Sequence, residues 1–230
     1  MNGSIRPVHY WDGRPVPHIA AWSREQLPPQ PLSVIYGQGG SGLGFQDEDS
    51  RIDRHQGVLW LRMPAARGGQ PRYERVHSLR QRRAMSHLLC QMCGGPTIGS
   101  RPGDERTLFL VGSAGGRPIA EGEHTESPPI HAVCALLAVE YCPPLRRGWA
   151  AALVDYTPTW GVAGLLYSPQ PLEPLSSDHH DGLHRVPFTD DRRIRWTLAA
   201  RLMVSLLGVT AVTDLDTLAD VERESARVPG

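Results

Sequence analysis

The chain has 230 residues, 40% of them hydrophobic and 21% charged, with 24 basic residues balanced by 24 acidic ones. That is enough apolar material for one medium-sized core, which excludes a wholly disordered chain. Zero net charge excludes a protein whose entire surface coats DNA or an anionic membrane. No apolar run approaches the roughly 20 residues of a membrane span, and Met1–Pro7 lacks the apolar stretch of a secretory leader, so a cytoplasmic protein without a membrane partner is expected. Every basic residue is Arg, which excludes Lys chemistry, namely Schiff bases, Walker-type phosphate binding and a Lys general base.

In chain order, residues 1–56 form a Pro/Gly-rich segment. Pro15, Pro17, Pro28, Pro29 and Pro31 interrupt any long helix. A short helix fits around Pro17–Gln26, and the glycines of Gly37–Gly44 read as a linker or surface loop. No Lys follows those glycines and no βαβ pattern frames them, so they are not a nucleotide-binding loop. Residues 57–145, which hold the pairs Cys90-x2-Cys93 and His131-x2-Cys134, are the expected zinc-finger core. Gly57–Arg62 reads as a strand. Val76, Leu79, Ala84 or Met85, and Leu88 then recur at helical spacing, which predicts a helix over 72–89. Thr107–Val111 reads as a strand turning at Gly115-Gly116 and returning near Pro118–Ala120. Pro128-Pro129 introduces a helix over 130–141.

Residues 146–208 carry an expected hairpin, 149–156 with 161–167, and an amphipathic helix over 190–207. Thr189 can cap that helix, Asp190 and Asp191 suit its N-terminus, and Ile194, Leu198, Leu202 and Leu206 make an apolar stripe. Residues 209–230 are an acidic tail with, at most, a short amphipathic helix over 214–225.

The chemistry concentrates in four residues. Cys90-x2-Cys93 followed by Gly94-Gly95 is a zinc-knuckle pattern, in which two thiolates in a tight turn point at one metal. The tetrahedron needs a second pair, and His131-x2-Cys134 has the same spacing at a helix start. Cys142 lies eight residues beyond Cys134, about 12 Å along a helix, too far to share the ion. It fits a buried thiol near the helix end. The expected site is therefore Zn²⁺ on Cys90, Cys93, His131 and Cys134. A redox dithiol would need a thioredoxin-type βαβ frame, which is missing.

Other residues carry weaker signals. Asp178, His179, His180 and His184 can be a second metal site with hydrolytic chemistry, or simply a solvated loop. Arg75, Arg80, Arg82 and Arg83 can grip phosphates beside the finger, or form a solvated helix face. No Gly-x-Ser-x-Gly elbow or Cys-His nucleophile pair can be placed, and the catalytic residues, if any, are unassigned.

The lead-in Arg80-Gln81-Arg82-Arg83-Ala84-Met85 and the knuckle Cys90-Gln91-Met92-Cys93-Gly94 resemble the opening of zinc-bearing HNH endonucleases. That family follows its knuckle with an Asp-His pair, whereas Pro96–Gly122 holds no His, so the resemblance implies the finger and not nuclease chemistry. Together with Ser127–Cys134 and Val186-Pro187-Phe188, the chain also resembles a group of actinobacterial zinc-knuckle proteins of the Cys-Gln-x-Cys-Gly-Gly type, some with Cys at the place of His131. An all-Arg composition suits the high-GC coding of such a source. This resemblance implies zinc binding and no particular activity.

The expected fold is α+β, a treble-clef-like zinc finger embedded in a single mixed domain with a C-terminal β-hairpin and helix. The expected function is a binding or regulatory module, rather than an enzyme, for nucleic acid or a partner protein. A metal-dependent, nuclease-like hydrolase and a structural accessory subunit are the alternatives.

Overall fold

The structure, a computed structural model, describes residues 5–37, 40–113 and 115–227. The Pro/Gly-rich opening folds into short antiparallel ladders. Strand β1 (His9–Trp11) turns through Asp12-Gly13 into β2 (Arg14–Val16). Both turn residues have positive φ, 48° and 69°, as a two-residue hairpin turn requires. The expected helix over 17–26 is absent. Its place is taken by β3 (Ala20–Trp22), which pairs with a strand some fifty residues on. Strand β4 (Leu32–Gly37) pairs with β5 (Gly40–Phe45), so the glycine segment is a strand from Gly40 on, while Gln38 and Gly39 lie outside the described residues. The glycines serve close approach. The Leu43 N–H donates to the Arg195 carbonyl at 2.8 Å, and a Cβ on Gly42 would sit 3.0 Å from that oxygen. One turn of helix α1 (Ser50–Asp53) leads to β6 (Arg54–His55) and β7 (Val58–Trp60), the latter inside the strand expected at 57–62.

The segment expected as one helix over 72–89 is a strand followed by a helix. Strand β8 (Pro71–Val76) pairs with β3. His77 then caps α2 (Ser78–Ser86), its Nδ1 accepting the Arg80 N–H at 3.4 Å. The charged residues 72–75 suit an exposed ladder as well as a helix, and only the partner strand decides between them.

Strand β9 (Thr107–Gly112), strand β10 (His124–Thr125) and helix α3 (Ala132–Tyr141) follow, β9 and α3 where the sequence places a strand and a helix. After the single turn α4 (Pro143–Arg146) come β11 (Trp149–Tyr156), β12 (Thr159–Leu166), β13 (His184–Pro187), α5 (Asp191–Ile194), β14 (Thr197–Ser205), β15 (Leu207–Val212) and α6 (Leu215–Arg227).

Neither expected hairpin forms. Strands β11 and β12 are consecutive but belong to different sheets, with the chain crossing between them at Thr157-Pro158. Strand β9 does not fold back on 118–120, which is not a strand; it pairs with β11, Phe109 opposite Ala152. One sheet runs β15-β11-β9. The larger has the order β13-β12-β14-β7-β6, with β10 also on β14.

The largest departure is 190–207. Only Asp191–Ile194 is helical, capped by Asp190, whose Oδ1 accepts the Arg193 N–H at 3.0 Å. From Thr197 the chain is β14, the centre of the larger sheet, flanked by β12 on one side and by β7 and β10 on the other. A four-residue apolar step satisfies a strand's period of two as well as a helix's 3.6. A bulge hides the alternation. Ala163 pairs with Arg201 but Gly164 with Ala199, leaving Ala200 as the extra residue and reversing which face the following side chains take.

The layers follow from strand alternation. Phe109, Ala150, Ala152 and Val154 on one face of the β9–β11 ladder meet Val162, Leu202 and Val204 of the larger sheet. Leu108, Leu110, Ala151 and Leu153 on the other face meet α3, α6 and the cysteines. The three-stranded sheet is thus the middle layer, and the metal-ligand candidates lie in the outer core it shares with α3 and α6.

A half-buried ion network braces the far side. Arg185 donates to both oxygens of Asp181, at 2.8 and 3.0 Å, and Arg201 bridges Asp181 and Glu126. Burial alone would raise the Asp181 pKa, but the Arg185 hydrogen bonds and nearby Arg201 bring it down to about 2. On acidification the unfolded chain therefore takes up this proton first, and stability falls as pH drops from about 4 towards 2. Urea unfolding midpoints over that window should decline more steeply for the wild type than for Asp181→Asn; equal slopes would contradict this role.

Candidate metal centre

The knuckle is set by backbone hydrogen bonds. Past α2, Leu88 takes a positive φ of 47°, and its carbonyl accepts the Thr97 N–H at 3.0 Å, closing the loop at its base. Inside the loop, the Cys90 N–H donates to the Gly95 carbonyl at 2.7 Å and the Gly94 N–H to the Cys90 carbonyl at 2.8 Å. Gly94 has φ 71°, and a Cβ there would lie 2.5 Å from the His18 ring, so both the turn and the packing require glycine. The turn aims amides at sulfur, the Gly95 N–H reaching Cys93 Sγ at 3.4 Å.

The second pair arrives on α3. The Gln91 N–H bonds the Pro129 carbonyl at 2.9 Å, and its side chain bonds the Pro128 carbonyl at 3.0 Å, which ties the knuckle to the lead-in of the helix. His131 is the N-cap residue and Cys134 sits in the first turn. The Ser127–Ile130 lead-in is anchored on β9, where the Ile130 N–H donates to the Leu108 carbonyl at 2.9 Å.

The ligand atoms of Cys90, Cys93, His131 and Cys134 all lie within 4.8 Å of one another, and among the described residues this is the only group of three or more His, Cys, Asp or Glu able to hold one metal ion. Ligand bonds of about 2.0–2.3 Å in a tetrahedron place donors roughly 3.5–3.8 Å apart, so a small contraction suffices. Cys90 and His131 have no exposed surface, Cys134 has 1% and Cys93 7%. His131 Nε2 lies 2.9 Å from the Pro96 carbonyl, which can only accept. Nε2 therefore carries a proton, leaving Nδ1, 3.3 Å from Cys93 Sγ, as the nitrogen that could ligate a metal.

The electrostatics describe a cluster prepared for a cation. Hydrogen bonds from Cys134 and Cys90, helped by His131 and the Gly95 amide, hold the Cys93 thiol far below its ordinary value despite burial. The same contacts, first that with Cys90, push Cys134 far up. Burial lowers the His131 pKa, but hydrogen bonds to Cys90 and Cys93 outweigh it and raise it to about 10. A cation held there would compete with protons for the same ligand atoms.

Sequence reasoning missed the residue that locks the helix in place. Glu222 of α6, 1% exposed, accepts the Val133 N–H at 3.2 Å, between His131 and Cys134 in the chain, and bonds Ser100 Oγ at 3.1 Å and Arg101 Nη1 at 3.3 Å. A carboxylate at a helix N-terminus is favourable, and this one joins the tail to the loop after the knuckle. The available signal was its place seven residues after Leu215 and three after Ala219, on the apolar face of the tail helix.

The other candidates are dispersed. Asp178, His179 and His180 are exposed, and half-buried His184 has Nε2 3.3 Å from the Leu175 carbonyl and Nδ1 3.4 Å from Arg193. The arginine quartet does not form a common surface. Arg75 and Arg83 are exposed, Arg82 stacks over Trp60 at 4.5 Å, and Arg80 is buried against Glu25 with two contacts of 2.6 Å. Cys142 is half-buried where α3 meets α4. Among the described residues no helix is long and apolar enough to cross a membrane.

No protein-family model matches the chain, and comparison with curated proteins and with solved structures returns no match. The site therefore rests on its own geometry.

Proposed function

We propose that Cys90, Cys93, His131 and Cys134 hold one structural Zn²⁺, and that the chain is a zinc-stabilised cytoplasmic binding module rather than an enzyme. The observation that carries this reading is the convergence of three sulfurs and one imidazole, all buried, with the far imidazole nitrogen fixed by Pro96. Three thiolates and one nitrogen in a tetrahedral arrangement select zinc over harder cations. Four protein ligands leave no open position, the mark of structural rather than catalytic zinc. A knuckle followed by two ligands at a helix start has the ligand order of a treble clef, with the β9–β11 ladder standing in for its hairpin. Thiolate ligands suit a reducing compartment. The hydrolase alternative has less support, because the donors of 178–184 do not converge on one point.

Thiol alkylation followed by intact mass tests the site. Metal-loaded protein should take one label, on Cys142, and a strong chelator should expose Cys90, Cys93 and Cys134 to three more. Labelling indifferent to the chelator would overturn the reading.

A further inference from the structure

The N-terminal ladders carry an unused surface that combines rings and positive charge. Tyr10, Trp11 and Tyr73 are 50%, 41% and 47% exposed, and all three belong to β1 and β8. Trp11 packs in a T-shaped contact against buried Trp22, ring centroids 6.0 Å apart. Tyr73 is pushed out by a bulge. Ala21 pairs with Arg72 but Ala20 with Val76, so Tyr73-Glu74-Arg75 have no cross-strand partners on β3 and stand away from the ladder. Arg14, opposite Trp11 in the hairpin, lines the same cleft as Tyr73. Arg72 stands beside the Trp22–Pro71 pair, and Arg67 reaches His18 at 2.9 Å in a pocket shared with His9 and Trp22. Residues 5–26 and 64–76 hold six arginines, all exposed, against exposed Asp12 and Glu74 and buried Glu25. Glu25 is already paired with Arg80. These two segments of a neutral chain thus carry an excess of exposed positive charge, with Arg14 in the cleft beside Tyr73.

We propose that the β1–β2 hairpin and the Tyr73–Arg75 bulge bind single-stranded nucleic acid, with bases stacked on Trp11 and Tyr73 and phosphates held by Arg14, Arg67 and Arg72. This rests on the binding-module reading above and names its partner. Unpaired bases offer faces to such rings, and a basic track follows the backbone. A duplex hides its base faces, and no helix is presented here for its groove.

The test uses zinc-loaded full-length protein with fluorescent 20-nucleotide oligo(dT), oligo(rU) and a mixed-sequence duplex, across a salt series. Expected is binding to single strands in preference to duplex, the tighter of the two homopolymers assigning DNA or RNA as the natural strand. Trp11→Ala and Tyr73→Ala should each weaken it about 5- to 150-fold. Tyr73→Ala is the safer variant, because Trp11 also packs on Trp22. Arg14→Ala/Arg72→Ala should reduce the slope of log K against log salt by about 1.4. Arg83→Ala, on α2, should leave binding unchanged. Folded, metal-loaded protein that binds neither strand at low salt overturns the proposal. So does equal affinity for duplex, or indifference to both ring deletions. These outcomes leave the zinc reading standing, whereas a folded protein that binds strands without metal overturns the zinc reading alone.

Discussion

Cys93→Ser protein is expected to emerge without metal and without a cooperative unfolding transition. The site lies inside the core shared by α3, α6 and the β9–β11 ladder, so an ion held there would add to the Gln91 hydrogen bonds that tie the knuckle to the helix lead-in, and its loss would leave three thiols and an imidazole buried together. Structural zinc supplies about 10–16 kcal/mol in small finger peptides, against about 5–15 kcal/mol of net stability for a whole domain. Losing even half of that would remove most of the margin. Far-UV circular dichroism against temperature checks it, with chelated wild type expected to behave like the variant. Cys142→Ser, outside the cluster, serves as the matched control and should melt close to wild type. An unchanged melting temperature in Cys93→Ser would mean the four residues are core side chains and nothing more.

The second large effect belongs to Glu25. Its carboxylate, 3% exposed, receives Arg80 Nη1 and Nη2 at 2.6 Å each and the Trp22 N–H at 2.8 Å. Burial alone would raise its pKa, but Arg80 and the Trp22 amide bring it below the ordinary value. Glu25→Ala leaves the Arg80 guanidinium buried without its counter-ion. Breaking one side of a buried pair costs about 3–5 kcal/mol, or about 6–20 °C of melting temperature in a chain of this length. Replacing both partners, as Glu25→Leu with Arg80→Met, should recover most of the loss, because no unpaired charge remains. A single variant that melts like wild type would show that Arg80 reaches water, and would return it to the surface charges.

Legibility in the sequence followed the range of the interaction. The knuckle and the His131–Cys134 pair were readable because three-residue spacings in a turn and at a helix start fix geometry locally, and α3 was readable from Pro128-Pro129 and its apolar run. Strand β9 was readable, but its partner was not. The residues just after it turn away at Gly115-Gly116, and the pairing goes to Trp149–Val154, across the whole of α3. The stripe Ile194–Leu206 failed for a different reason. Its spacing serves two periods, and the Ala200 bulge erases the alternation that would have separated them. Arg80 looked like a surface charge because its partner Glu25 is 55 positions away. Charge on a sequence carries no sign of burial until the counter-ion is found.

The surface described around Trp11 and Tyr73 depends on the same scaffold. The His18 N–H donates to the Met92 carbonyl at 2.9 Å and the Ile19 N–H to the Gln91 carbonyl at 3.3 Å, which hangs the N-terminal ladders on the knuckle itself. Metal loss should therefore loosen that surface as well as the core.

The most direct measurement is metal identity and stoichiometry, by elemental analysis and native mass on protein purified without a His tag or added metal. One zinc per chain, retained through gel filtration and released together with tertiary structure, is the expected result. A folded chain carrying no metal would contradict the assignment of Cys90, Cys93, His131 and Cys134 as a zinc site.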